Sequence, residues 1–175
     1  TAIDSVPLTA IAFFMLTGEL MTSATITDRL VALSRALIGR IKGGLAQVNV
    51  LVSMFFAGMN GSVVADTATV GALVLPAMKK AGYPAAFSAA VTGVSSTIGG
   101  IIPPSIMMIV LANATEISIA SLFAAGIVPG ILIGVVIMVI NHYFAVKYNF
   151  ERSDEPFSVR RAGKELYRSS FALLI

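Results

Sequence analysis

Ser95-Ser96-Thr97-Ile98-Gly99-Gly100-Ile101-Ile102-Pro103-Pro104-Ser105 interrupts an apolar run, residues 84–114, that is too long for one ideal membrane span. A second polar interruption, Asn60-Gly61-Ser62-Val63-Val64-Ala65-Asp66-Thr67, sits in the middle of the apolar run 45–78. A helix broken inside lipid persists only where its freed backbone groups are buried in protein or line a wet cavity. Two such breaks are how a membrane carrier builds a binding site near the bilayer midplane.

Composition agrees with a membrane setting. Hydrophobic residues make up 57% of the 175-residue chain and charged residues 12%, against about a quarter charged in soluble domains. The chain therefore reads as an all-α polytopic membrane protein whose first partner is the lipid bilayer. Without cysteine there is no disulfide framework, thiolate metal site or Cys nucleophile, and the single His142 excludes His clusters. No acid/base dyad or nucleophile triad is present, and an intramembrane aspartyl protease would need a second carboxylate beside Asp66, so no enzyme is expected. Nucleic-acid binding has no support. The chain starts at Thr1 without Met and runs out in the apolar residues 171–175, so both ends read as cut from a longer protein.

Outward from the two breaks, the chain divides into seven parts. Residues 1–26 carry an apolar stretch of spanning length, helix A, with Pro7 near its start. Residues 27–43 form an amphipathic arm, with Leu30, Val31, Leu33, Leu37, Ile38 and Ile41 at helical spacing and charges on other faces. Residues 44–80 hold two limbs of roughly 15 residues that meet at a turn over residues 58–62 and reach about 22 Å each. That is short of a ~30 Å hydrocarbon core, so a re-entrant hairpin is expected rather than two spans. Residues 81–115 read as a discontinuous helix whose first half ends near Thr97 and whose second half starts near Pro103, because proline is tolerated in a first helical turn. Residues 116–147 form helix B, residues 148–168 a charged cytoplasmic amphipathic linker, and residues 169–175 the start of a further membrane segment.

Charge placement fixes the sides. With the segments after helix A, after the hairpin and after helix B in the cytoplasm, all twelve Lys and Arg lie on that side. The two outer segments, residues 1–5 and 114–120, carry Asp4 and Glu116 and no base. Glu19, near the cytoplasmic end of helix A, reads as a snorkelling or ion-paired group, and His142 as an interfacial anchor.

At the hairpin tip, Ser62, Asp66 and Thr69 stand at i, i+4 and i+7, which makes one face of the descending limb polar at membrane depth. The ascending limb ends in free carbonyls with partial negative charge, and the descending limb begins with N–H groups of partial positive charge. Carbonyls with Asn and Ser oxygens suit a Na⁺ ion; N–H groups suit a substrate carboxylate. The unwound stretch repeats this arrangement, and Gly99 and Gly100 allow close backbone approach. Taken alone, Ser95, Ser96 and Thr97 read as helix-packing residues whose hydroxyls bond back to the preceding turn. An ionisable residue at membrane depth is a functional hypothesis by default, and Asp66 adjoins one break.

Residues 40–50 (Arg-Ile-Lys-Gly-Gly-Leu-Ala-Gln-Val-Asn-Val), 58–66, 96–105 and 122–130 (Leu-Phe-Ala-Ala-Gly-Ile-Val-Pro-Gly) closely resemble the large membrane (M) subunit of tripartite ATP-independent periplasmic (TRAP) transporters. The resemblance covers nearly the whole chain, and only the first half of that subunit. It implies one half of an inverted-repeat, elevator-type transporter in the bacterial inner membrane. Its expected partners are a small membrane (Q) subunit, a periplasmic substrate-binding (P) protein and a carboxylate substrate, with Na⁺ as coupling ion and no other cofactor. By motif match the Na⁺ site would draw on Asn60, Ser62, Gly99, Ile102 and Pro104. Gly61, Asp66, Thr67, Ser95, Ser96, Thr97, Gly100, Pro103 and Ser105 would bind substrate or support the site. Asn60 stands where Ser is the more usual residue; an amide carbonyl also ligates Na⁺. A binding-protein-independent elevator carrier of the wider ion-transporter group shares such hairpins and broken helices, and a non-transporting membrane scaffold is the third reading.

Overall fold

The computed structural model describes residues 9, 12, 13, 16, 26–38 and 41–150. The expectations for most of helix A with Asp4 and Glu19, for Arg40, and for everything after residue 150 lie outside the described residues. The regular elements described are all helices: α1 (Ile26–Ile38), α2 (Gly44–Asn60), α3 (Val63–Lys80), α4 (Ala85–Ser96), a 3-10 turn (Thr97–Gly100), α5 (Ile106–Thr115) and α6 (Ile119–Lys147).

α2 is the centre of the body. Its sequence has no charged residue and its few polar side chains, Gln47, Asn49, Ser53 and Asn60, are buried, as are Val50, Val52 and Phe56, the pattern of a helix with almost no solvent face. It touches α1, α3, α4 and α6. Gly43, in the left-handed conformation at φ 73°, turns the chain from α1 into α2. Its α-carbon sits so close to Ala145 of α6 that a β-carbon there would overlap the alanine methyl.

α2 and α3 form an antiparallel pair of 17 and 18 residues, about 26 Å each. Both are longer than the sequence pattern indicates, because the turn takes two residues rather than five. Gly58 stays in the helix, Asn60 completes α2, Gly61 caps it at φ 59°, and Ser62 caps α3 by accepting a hydrogen bond from the Ala65 N–H at 3.3 Å. One left-handed glycine followed directly by an N-cap serine reverses the chain without a longer loop.

The discontinuous helix is present, with one boundary displaced. α4 ends at Ser96 and passes through the 3-10 turn, whereas α5 starts at Ile106, beyond Pro103 and Pro104. Ser105, not proline, begins the second half: its hydroxyl accepts from the Met108 N–H at 3.4 Å and donates to the Gly100 carbonyl at 2.9 Å. The prolines occupy the connection, joined by a cis peptide bond.

α6 has 29 residues, about 43 Å, and is the one described helix long and apolar enough to cross a membrane. It runs antiparallel to α2 and samples the body from end to end. Gly126 and Gly130 face Ile101 and Ile102, Gly134 faces Met54, and Met138 receives the Gln47 amide at 2.8 Å. At the far end Lys42 donates to Asn149 at 2.8 Å, and Phe150 packs on Tyr83 and Phe87 with ring centroids 4.7 and 5.1 Å away. Lys42 and Lys147 are therefore gathered at the end opposite the tip, where α3 also delivers Lys79 and Lys80.

Candidate functional site at the hairpin tip and the helix break

The tip docks on the break through backbone. The Ile106 N–H, first of α5, donates to the Gly61 carbonyl at 3.3 Å, and the Gly61 α-carbon lies against the Pro104 carbonyl with no room for a β-carbon. A β-carbon on Gly99 would lie 3.6 Å from the Ser62 carbonyl, and one on Gly100 would lie 3.3 Å from Val63 Cγ2. Small residues stand here because two main chains meet.

Among the expected Na⁺ ligands, Ser62, Gly99 and Pro104 are thus brought together. Asn60 stands beside them, 4% exposed, its Oδ1 accepting from the Ser62 N–H at 3.0 Å and its Nδ2 buried without a partner. Ile102 lies in the same connection, its side chain turned onto Gly130 of α6. The carbonyl and amide oxygens present are hard donors, the kind that hold an alkali or alkaline-earth cation. Of the expected supporting residues, Gly61, Gly100, Pro103 and Ser105 belong to this contact; the Pro103 carbonyl lies 3.8 Å from a β-carbon built on Gly58.

Thr67 and Thr97 are not brought in. Both are exposed, and their hydroxyls bond back to the carbonyls of Val63 and Val94 at 2.8 and 2.7 Å. Helical twist sends them to the outer surface while their neighbours Asp66 and Ser96 point inward. The partial charges of the helix starts are also partly used: Ser62, Ser105 and the Gly61 carbonyl already take three of the N–H groups left for an anion.

Ser95 and Ser96 belong to a buried polar layer beneath the tip that extends beyond the residues singled out from sequence. Asn49 Nδ2 donates to Thr92 Oγ1 at 2.7 Å, and Asn49 Oδ1 accepts from Ser95 at 3.0 Å. Ser53 donates to Ser95 at 3.3 Å, Thr92 to the Ser88 carbonyl at 3.0 Å, and Ser96 to the Thr92 carbonyl at 2.8 Å. Asp66 is wholly buried beside Ser53 and Ser96. The periodicity was there to find: Asn49 and Ser53 are one turn apart on α2, and Ser88, Thr92 and Ser95 or Ser96 fall on one stripe of α4.

Asn49 joins α2 to α4 by two hydrogen bonds. Interhelical bonds in membrane proteins average about 0.6 kcal/mol, and stranding a buried group adds to that. Asn49→Leu is expected to destabilise the protein by about 1–2 kcal/mol. Ser88→Ala, which removes only a bond to its own helix at Pro84, should cost clearly less. Thermal unfolding of the purified protein compares them; equal losses would refute the bridging role.

The whole chain, residues 1–175, matches the family model described as the tripartite ATP-independent periplasmic transporter, DctM component. The chain belongs to this family. It is 45% identical over 138 residues to the C4-dicarboxylate TRAP transporter large permease protein DctM of Pseudomonas aeruginosa, covering 79% of this chain and 32% of that protein. Against the sialic acid TRAP transporter permease protein SiaT of Haemophilus influenzae it is 38% identical over 170 residues, 97% of this chain and 27% of that one. Against the 2,3-diketo-L-gulonate TRAP transporter large permease protein YiaN of Escherichia coli it is 41% identical over 152 residues, 87% of this chain and 36% of that one. The DctM-family chain spans about a third of the length of these relatives. These relatives are TRAP transporter permease proteins.

Proposed function

We propose that this chain is the first half of the transport machinery of a TRAP large permease in the bacterial inner membrane. In this reading it imports an organic acid anion by Na⁺ symport, receives it from a periplasmic binding protein, and works with a small membrane subunit. The observation that carries it is the docking of the Gly61–Ser62 tip on the Pro104–Ile106 connection, which gathers backbone carbonyls and the Asn60 and Ser62 oxygens into one small volume. Backbone that is not helical at membrane depth needs a function or a cavity to be tolerated.

Depth supports the re-entrant reading of the hairpin. The connection on which the tip rests meets α6 at Gly126 and Gly130, and α6 continues past it by about 10 Å toward its start. In this reading the hairpin turns back before the end of the spanning helix. Close packing of α2, α3, α4 and α6 makes a body that could travel as one piece, as an elevator mechanism requires. The substrates named for the relatives, C4-dicarboxylates, sialic acid and 2,3-diketo-L-gulonate, all present a carboxylate, the group that a helix start attracts.

The test uses the full-length permease with its small subunit in proteoliposomes, with and without binding protein, under an inward Na⁺ gradient. Uptake that needs both Na⁺ and binding protein is expected; uptake without the protein would favour an independent carrier. Ser62→Ala should raise the Na⁺ concentration for half-maximal uptake about tenfold while leaving the amount of inserted protein unchanged. An unaltered Na⁺ dependence would remove Ser62 from the ion site.

A further inference from the structure

We infer that the Lys147 end of α6 binds one anionic phospholipid, its phosphate held at Lys147, Tyr143 and Tyr148 and an acyl chain laid along the outer face of the helix. The inference rests on the membrane setting of the chain, and on neither the ligands nor the substrate assigned to the tip. Lys147 Nζ lies 5.7 Å from the ring centroid of Tyr148 and 6.0 Å from that of Tyr143, within the ~6 Å reach of a cation–π contact. The Tyr148 ring is itself fixed, stacked on Phe144 at 6.0 Å and on Phe150 at 6.1 Å. An ammonium on a flexible four-carbon stem is thereby kept over two rings, both of them exposed.

The charge of Lys147 is not consumed by the protein. A lysine in a last helical turn commonly answers the free carbonyls there, but here backbone does so. The N–H groups of Tyr148, Asn149 and Phe150 donate to the carbonyls of Phe144, Val146 and Ala145 at 2.9, 3.3 and 3.0 Å. Asn149, left-handed at φ 52°, closes that wrap and accepts from Lys42 at 2.8 Å, so a second ammonium stands at the same turn. The acids among the described residues all lie elsewhere: Asp28 about 15 Å back along α1 from its end, Asp66 buried in the body, and Glu116 at the opposite end of α6. The Tyr143 and Tyr148 hydroxyls have no hydrogen-bond partner among the described residues. Two phenolic O–H groups beside an ammonium that no acid neutralises are donors suited to a phosphate.

The helix face beside these donors fits a lipid chain better than another helix. Val128, Leu132, Val135, Val139 and Tyr143 fall within about 80° of one another around α6 and are exposed, and Lys147 follows Tyr143 by one turn. All of them are bulky. Gly126, Gly130 and Gly134, which would admit a neighbouring backbone, are spent on the body instead. From Val135 to Lys147 the stripe runs about 18 Å, a length matched to one leaflet of a ~30 Å core. Apolar stripe, aromatic pair and lysine follow in the order in which a phospholipid presents its acyl chain, its interfacial region and its phosphate. Charge decides the class of headgroup. Lys42 and Lys147 attract a net negative lipid and repel the ammonium of a zwitterionic ethanolamine one.

The experiment is native mass spectrometry of the detergent-purified full-length permease with its small subunit, titrated with phosphatidylglycerol or phosphatidylethanolamine of identical acyl chains. Phosphatidylglycerol is expected to occupy one site about tenfold more tightly than phosphatidylethanolamine. Lys147→Gln should weaken that site about fivefold, and Lys147→Arg should retain it. Lys80→Gln removes the same charge from the same end of the body, on α3 rather than beside the tyrosines, and should leave the site intact. Tyr148→Phe, which keeps the ring and loses only the donor, should weaken the site, and it carries the test if Lys147→Gln does not fold. Equal affinity for the two lipids, or equal effects of Lys147→Gln and Lys80→Gln, would overturn the inference. So would displacement of the lipid by inorganic phosphate at the same concentration, which would make this a free-anion site. Binding that appears only after the small subunit is removed would overturn it as well, because the outer face of α6 would then be a protein interface.

Discussion

Gly61→Ala is expected to abolish the proposed Na⁺-driven uptake, a fall of at least about 100-fold, in a protein that still inserts. Two costs combine. The backbone at residue 61 is left-handed, φ 59°, which an L side chain adopts at a cost of about 1–2 kcal/mol. The added methyl would also overlap the Pro104 carbonyl and press on the Ser105 α-carbon at 3.0 Å. Those are main-chain atoms, so nothing can rotate aside; the tip must leave the break and give up the Ile106–Gly61 hydrogen bond. Together this exceeds the roughly 3 kcal/mol that corresponds to a 100-fold loss. Gly82→Ala separates the two costs. Gly82 is also left-handed, φ 79°, but a β-carbon there meets nothing within 4 Å, so it incurs the conformational strain alone. Uptake by the Gly82→Ala protein should stay within about 30-fold of the unmodified one. Equal damage from both substitutions would mean that the tip contact is not what transport depends on.

The two breaks were legible in the sequence because each sets polar, Gly- and Pro-containing residues inside an apolar run, a conflict that lipid does not forgive. Their exact form was not. Gly58 and Gly61 both qualify as turn formers on composition, and only the contact of Gly61 with the Pro104 carbonyl decides which of them leaves the helix. Pro103 is as acceptable in a first helical turn as in a loop. Ser105, by capping α5 and reaching the Gly100 carbonyl, sets the start two residues further on. Thr67 and Thr97 show the limit of reading by neighbourhood: each is adjacent in sequence to an inward residue and about a third of a turn away from it in space. The Asn49 layer was within reach of a period-four search over polar residues, yet its hydrogen bonds join α2 to α4 across 43 and 46 positions of sequence. That distance is crossed only once the hairpin has folded back.

The same separation between side-chain and main-chain contacts ranks the glycines of α6. Gly126, Gly130 and Gly134 repeat every four residues and let the helix approach the body closely, the small-residue packing common between membrane helices. All three would place a β-carbon 2.5 Å from a neighbour, but the neighbours differ: the Ile101 carbonyl oxygen and Met108 Cε at Gly126, Ile102 Cγ1 at Gly130, Met54 Sδ at Gly134. A methionine sulfur can swing away. An isoleucine can shift by less, because its χ1 is stiff; a backbone carbonyl in the break cannot move without carrying residues 101–105 with it. Replacing Gly by Ala in a helix also returns up to about 1 kcal/mol of intrinsic propensity. Gly134→Ala is therefore expected to be near neutral, Gly130→Ala intermediate, and Gly126→Ala to destabilise by about 3 kcal/mol, the upper end for overpacking. Thermal unfolding of the three proteins gives the order, and uptake should follow it, because Gly126 props the connection on which the tip rests. If Gly126→Ala proves as benign as Gly134→Ala, α6 does not hold the break in place, and the connection must be fixed by α4 and the tip alone.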